Sequence, residues 1–185
     1  GEAAGTTVDL TSNQLVALPD SIAALTVLKE LDLGSNKFTT LPKPIVKLTS
    51  LTTLYLTSNQ LVALPDAIAA LTQMKVLYLN SNKFTTLPKP IVELTSLTEL
   101  NLWNNELVTL PDSIAALTAL KDLRLYDNKL VTLPDSIAAL MALEKLYLSN
   151  NPLAKPQSTA VEAWLTALRA GSCTVMMPVE EERGW

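Results

Sequence analysis

Asp122, Arg124 and Asp127 place two carboxylates and one guanidinium within six residues, dense enough for ion-pair or acid–base chemistry. Around them lie the chain's four tyrosines, Tyr55, Tyr78, Tyr126 and Tyr147, and one of its three tryptophans, Trp103. Catalysis needs more than this. The chain has no histidine, the commonest general base and metal ligand. Its single cysteine, Cys173, has no imidazole to activate it and no second cysteine for an internal disulfide. Five glycines, none in a phosphate-cradling order, leave no P-loop or dinucleotide fingerprint. The expectation is a non-enzyme without catalytic residues, metal or cofactor. A net charge of −4 with no basic run argues against nucleic acid or an anionic membrane as partner. The longest uninterrupted apolar run, Ile137–Leu143, holds 7 residues, where a membrane span needs about 20. The segment Gly1-Glu2-Ala3-Ala4-Gly5 has neither the basic start nor the apolar core of a secretion signal, and no Asn-x-Ser/Thr glycosylation site occurs. What large amphipathic rings beside charges do well is bind.

The side chains that bind must be positioned by a repeat. Asn13, Asn36, Asn59, Asn82, Asn105, Asn128 and Asn151 are each 23 residues apart, without an insertion. Around each runs one frame, seen in a single turn as Leu120, Leu123, Leu125, Asn128, Leu130, Leu133, Pro134, Ile137 and Leu140. The L-x-L alternation has a period of two, so its leucines point inward and their neighbours outward, as in a short strand. The asparagine that follows can bond the freed backbone groups of the turn and, repeated, form a ladder along the stack. Leu-Pro ends the strand, because proline has no N–H for sheet pairing. The return, Pro-Asp-Ser-Ile-Ala-Ala-Leu, turns Ile and Leu inward every third residue. That predicts a short 3₁₀ or helical turn with Asp or Ser as its cap. Where the return reads Pro-Lys-Pro-Ile-Val, two prolines predict extended polyproline geometry. Phe38 and Phe84 replace leucine at an inward position and belong to the core. One turn cannot bury its leucines alone, so stability comes from stacking.

Turns start near residues 5, 28, 51, 74, 97, 120 and 143, and the repeats occupy residues 1–157. After Asn151-Pro152-Leu153 the period breaks. Thr159-Ala-Val-Glu162 reads as a capping box opening a helix. Val161, Trp164, Leu165 and Leu168 then share one apolar face that covers the last turn, with Trp164 as a core plug. Gly171 suits a helix stop, and the tail with Glu180-Glu181-Glu182 is expected to move freely. Residues 158–185 are thus a cap helix and tail, continuous with the repeats in one domain. The other end has no comparable cap: Val8-Asp9-Leu10 reads as an edge strand. Open edges pair, so a weak homodimer through the N-terminal edge is expected.

The chain carries its own internal alignment. Residues 35–52 and 81–98 differ only at Lys47 against Glu93, and residues 11–26 and 57–72 only at Ser21 against Ala67. The unit was copied as a 46-residue pair. Between Leu28–Gly34 and Met74–Asn80 the frame is held, with one core swap. The other changes, Glu30/Val76, Asp32/Tyr78 and Gly34/Asn80, all fall on outward positions. Neighbouring strands lie about 4.8 Å apart, so Tyr55, Tyr78, Trp103, Tyr126 and Tyr147 are expected to form one continuous aromatic band. Cross-strand packing alone contributes about 0.2–1 kcal/mol per pair, but threonine or asparagine would serve a purely structural face. The candidate ligand contacts are Tyr55, Tyr78, Asn80, Asn101, Trp103, Arg124, Tyr126 and Tyr147. Acidic Asp9, Glu30, Asp32, Glu99, Asp122 and Asp127 outnumber Arg124 and Lys145, which suits a basic or apolar protein surface, or sugar rings.

The frame resembles the leucine-rich-repeat family over about residues 5 to 157. The resemblance implies an α/β repeat solenoid: a horseshoe with a parallel concave β-sheet of about seven strands, short 3₁₀, helical or extended convex returns, and a C-terminal capping helix. It also implies ligand binding on the concave face. The N-x-L-x-x-L-P turns, the variation confined to strand faces, and the Asn150-Asn151-Pro152 junction leading to Trp164-Leu165 are similar to variable lymphocyte receptors. Those receptors have repeats of about 24 residues and paired cysteines in both caps, whereas only Cys173 stands here. This likeness implies extracellular, immune-type recognition of microbial surface components through the aromatic contacts. The 23-residue L-P-x-x-I-x-x-L return is similar instead to the Ras-group leucine-rich proteins and bacterial repeat proteins. That likeness implies a cytoplasmic scaffold for a folded protein partner. The near-identical blocks also fit a consensus-designed solenoid, against which the irregular cap stands.

Overall fold

The computed structural model of the chain describes residues 6–178; the acidic tail expected to move freely lies outside them. Eight strands form one parallel sheet in sequence order: β1 (Thr7–Asp9), β2 (Glu30–Asp32), β3 (Thr53–Tyr55), β4 (Val76–Tyr78), β5 (Glu99–Asn101), β6 (Asp122–Arg124), β7 (Lys145–Tyr147) and β8 (Thr174–Met176). Seven come from the repeats. The eighth comes from the cap, where Thr174 N–H donates to Glu144 O at 2.9 Å and Leu148 N–H to Met176 O at 2.7 Å. Equal repeat length sets the register, so each central strand leucine stands opposite the next: Leu31, Leu54, Leu77, Leu100, Leu123 and Leu146.

The asparagine ladder is present. Asn128 shows its logic: the amide donates to Leu125 O at 3.0 Å in its own turn and to Leu102 O at 3.0 Å in the turn before. Its Oδ1 accepts from Leu107 N–H at 3.0 Å. Asn36, Asn59, Asn82, Asn105 and Asn151 repeat the pattern, each buried. The residue before each repeat asparagine is left-handed: Ser12, Ser35, Ser58, Ser81, Asn104, Asp127 and Asn150 have φ between 52° and 59°. Serine, asparagine and aspartate tolerate that region better than bulky residues do.

All six convex returns are 3₁₀ helices, Asp20–Ala24, Lys43–Lys47, Asp66–Ala70, Lys89–Glu93, Asp112–Ala116 and Asp135–Ala139. Two expectations are corrected here. The Pro-Lys-Pro returns are not extended polyproline: Ile45 N–H donates to Pro42 O and Leu48 N–H to Ile45 O, at 3.1 and 2.9 Å. Pro44 and Pro90 sit near the helix start, where the missing N–H has no partner to lose and the ring's φ already fits. Nor do Asp or Ser cap the returns. The position before each helix is the proline itself, with no side-chain acceptor, and Asp20, Asp66, Asp112 and Asp135 are the first helical residues.

One continuous core runs from Ile22 to Cys173, with Phe38 and Phe84 fully buried. It is closed by α1 (Thr159–Ala170), which buries Val161, Trp164, Leu165 and Leu168. Trp164 plugs the last turn and its Nε1–H donates to Leu140 O at 3.3 Å. The capping box is displaced from the expected Thr159: Ser158 is extended, precedes the helix and accepts from Val161 N–H at 3.2 Å. Glu162 reaches back to Gln157 N–H at 2.9 Å. Gly171 ends the helix at φ −80°, and the left-handed residue is Ser172 instead. At the other end Leu10, Leu15, Leu18, Ile22 and Leu25 line an open apolar hollow of about 450 Å³. Among the described residues, no helix is long and apolar enough to cross a membrane.

Candidate ligand-binding face

The strand pairing sorts the outward residues into rows that cross the sheet. One row reads Asp9, Asp32, Tyr55, Tyr78, Asn101, Arg124 and Tyr147, in direct register from β1 to β7. A second, one pleat earlier, reads Thr7, Glu30, Thr53, Val76, Glu99, Asp122 and Lys145. A third, one pleat later, carries Asn80, Trp103 and Tyr126. The repeat thus converts distant sequence positions into neighbours about 4.8 Å apart.

The five aromatic side chains are half-buried and form two groups. Tyr55 and Tyr78 meet edge to face, centroids 5.0 Å apart at 81°. Trp103 and Tyr126 stack at 5.1 Å with planes 5° apart, and Tyr126 meets Tyr147 at 6.3 Å and 65°. Among the described residues no ring contact joins Tyr78 to Trp103, so the band expected to be continuous is divided. The reason is register: Tyr78 pairs with Asn101, and Trp103 stands one pleat further along.

Charge is organised around the same rings. Arg124 makes two hydrogen bonds to Asp122, Nε to Oδ1 at 3.0 Å and Nη2 to Oδ2 at 2.9 Å. This bidentate pairing, first among the causes, raises the guanidinium pKa and keeps it charged. Arg124 also lies over Tyr147, 5.6 Å from the ring centroid. Lys145 Nζ stands 3.9 Å from the same Asp122. Tyr78 donates its hydroxyl to Glu99 Oε2 at 3.1 Å. Burial first, then neighbouring carboxylates, raises the phenol pKa of Tyr55 and Tyr78. Burial likewise raises that of Tyr126.

The sequence-predicted contacts divide accordingly. Tyr55, Tyr78, Trp103, Arg124, Tyr126 and Tyr147 come together on the concave surface. Asn80 and Asn101 are 4% and 3% exposed and act as supports. Asn80 Oδ1 accepts from the Thr57 hydroxyl at 2.9 Å, and Asn101 Oδ1 from Trp103 N–H at 3.3 Å, which holds the tryptophan backbone. Two residues outside the predicted set belong to the face: Asp122, which orients Arg124, and Glu99, which holds Tyr78. The Asp122-x-Arg124 spacing, two same-face positions on one strand, was the available signal for the first. Among the described residues, no group of three or more His, Cys, Asp or Glu could hold a metal ion.

An open parallel sheet curved by short convex turns, with a varied face on an invariant frame, defines a repeat protein built for surface contact. The family described as "Leucine-rich repeat region" matches residues 66–174, and that described as "Leucine rich repeat" matches residues 6–61. The chain belongs to the leucine-rich-repeat family. It is similar to a leucine-rich-repeat protein of Leptospira interrogans, with 34% identity and a TM-score of 0.73 over 88% of this chain and 47% of that one. It shares its fold with an internalin (inlF) of Listeria monocytogenes, with 24% identity and a TM-score of 0.73 over 96% of this chain and 54% of that one. The chain therefore spans about half the length of these structures. A comparison with curated proteins gives no match.

Proposed function

We propose that this chain is a non-enzymatic recognition module that binds a protein ligand across β3–β7. The observation that carries this is the Trp103–Tyr126–Tyr147 ring group flanked by an Arg124 already locked by Asp122. Rings and a fixed guanidinium lose little side-chain freedom on binding, which is why such residues dominate interface energetics. Eight strands about 4.8 Å apart make the sheet wide enough to meet a macromolecule. The resemblance to variable lymphocyte receptors makes a protein displayed on a microbial surface the first ligand class, with the chain working outside the cell. The second reading, a cytoplasmic scaffold for a folded partner, is favoured by the 23-residue return. Weak pairing of two copies at β1 accompanies either reading. It is supported by the open hollow beside that edge; light scattering that stays at 20.0 kDa at high concentration overturns it.

The test is whole-cell pull-down on Gram-positive and Gram-negative bacteria, comparing the wild type with the Tyr78→Ala, Trp103→Ala, Tyr126→Ala triple variant. The expected outcome is retention of wild type and loss of the folded variant, each hot-spot ring contributing about 1–3 kcal/mol. Equal retention of both removes the site from the concave face. Retention of neither rejects the microbial setting in favour of the cytoplasmic partner.

A further inference from the structure

The concave face is electrostatically lopsided along the stack. On β1–β5 its charged outward residues are Asp9, Glu30, Asp32 and Glu99, with no lysine or arginine in those rows. The face's two cations, Arg124 and Lys145, sit on β6 and β7, and both are turned toward Asp122. Among the described residues, neither Lys29 nor Lys75, beside β2 and β4, makes an ion pair with the carboxylates of β1–β5, whose side-chain hydrogen bonds come from neutral groups. Asp9 accepts from Thr11 N–H, Asp32 from Gly34 N–H and Glu99 from the Tyr78 hydroxyl. Within this acidic half stand the edge-to-face rings of Tyr55 and Tyr78. Burial first, then the nearby carboxylates of Glu30, Glu99 and Asp32, raises the Tyr55 phenol pKa.

Resting on the concave-face reading above, we infer that the ligand is a protein whose segment lying over β2–β5 is basic, with lysine or arginine side chains meeting Tyr55, Tyr78, Glu30, Asp32 and Glu99. A guanidinium or ammonium gains from a ring face and from carboxylates at once, and unpaired carboxylates on an interface are matched by cations across it. The opposite half, where Asp122 holds Arg124 in a bidentate pair, presents the Trp103–Tyr126 stack to an apolar anchor. The ligand therefore binds in one orientation along the solenoid, its basic end toward β1.

The probe is a fluorescein-labelled hexa-arginine peptide, with hexa-glutamate as its counterpart, followed by anisotropy at low and physiological salt. Hexa-arginine binds the wild type and hexa-glutamate does not. The isosteric double variant Glu30→Gln, Glu99→Gln weakens hexa-arginine at least tenfold. Asp20→Asn, Asp66→Asn, which makes the same charge change at exposed convex positions, stays within twofold. Circular dichroism melts establish that both variants are folded. Failure of hexa-arginine to bind, or equal weakening in both variants, overturns the assignment. If that happens while the aromatic triple variant still loses its cells, the concave face stands and only its basic partner falls.

Discussion

From Asn36 onward each repeat asparagine serves two turns at once. Asn128 satisfies carbonyls of Leu102 and Leu125 with one amide and the N–H of Leu107 with its oxygen, all in buried surroundings. Alanine there strands several buried polar groups, and each orphan costs about 1–3 kcal/mol. Asn128→Ala is therefore expected to lower the urea midpoint strongly, whereas Asn13→Ala, at an exposed position, should barely move it. The tyrosines of the concave face give a second prediction. A phenol harder to ionise in the folded than in the unfolded chain stabilises fully below the unfolded pKa and loses that contribution as pH rises through the folded one. Tyr55, Tyr78 and Tyr126 are all raised above the ordinary 10.0, so stability should fall as pH climbs past 10.0. Ultraviolet titration should show these phenols ionising late; ordinary ionisation of all three would contradict the packing described.

At the scale of elements, strands of three residues hold only because the ladder and the stacked core hold them. The 3₁₀ returns are equally short, and their work is to bring Ile22, Ile45, Ile68, Ile91, Ile114 and Ile137 into the core. The α-helix α1 closes the stack. Trp164 is 3% exposed within it, so Trp164→Ala should cost about 3–5 kcal/mol and expose the last turn to dye binding. Ser158→Ala should cost less, about 0.5–2 kcal/mol, because it removes the cap hydrogen bond from Val161 N–H and an exposed hydrogen bond to Asp135, but no core packing. A Ser158→Ala effect larger than that of Trp164→Ala would show that α1 is held by its start and not by its face.

For the whole molecule, stacking makes stability a sum of neighbour terms, and the two ends differ. At the C-terminal end α1 and β8 cover the last turn. At the N-terminal end Leu10, Leu15 and Leu18 are only partly buried, whereas their counterparts one turn on, Leu33, Phe38 and Leu41, are buried. Hydrogen exchange should accordingly be fast at β1 and slow at β4 and β5, with β7 protected despite being the last repeat strand. Fast exchange at β7 would mean that the cap does not dock in solution.

Most of the architecture was legible in the chain itself. An uninterrupted 23-residue frame determines the inward leucines, the asparagine ladder, the parallel register and the faces on which the sequence is free to vary. Periodicity is enough for this because every repeat solves the same burial problem against an identical neighbour. The candidate contacts were legible as outward positions, but their state was not. Whether Asn80 faces a ligand or holds Thr57, whether five rings form one band or two groups, and which acid holds Tyr78 depend on side chains from turns 21 to 25 residues apart. The returns and the caps were decided in the same way: Pro-Lys-Pro is compatible with polyproline or 3₁₀ geometry locally, and the core's demand for Ile45 and Ile91 selects the tighter one. Local chemistry set the options, and packing between turns, which no single repeat contains, chose among them.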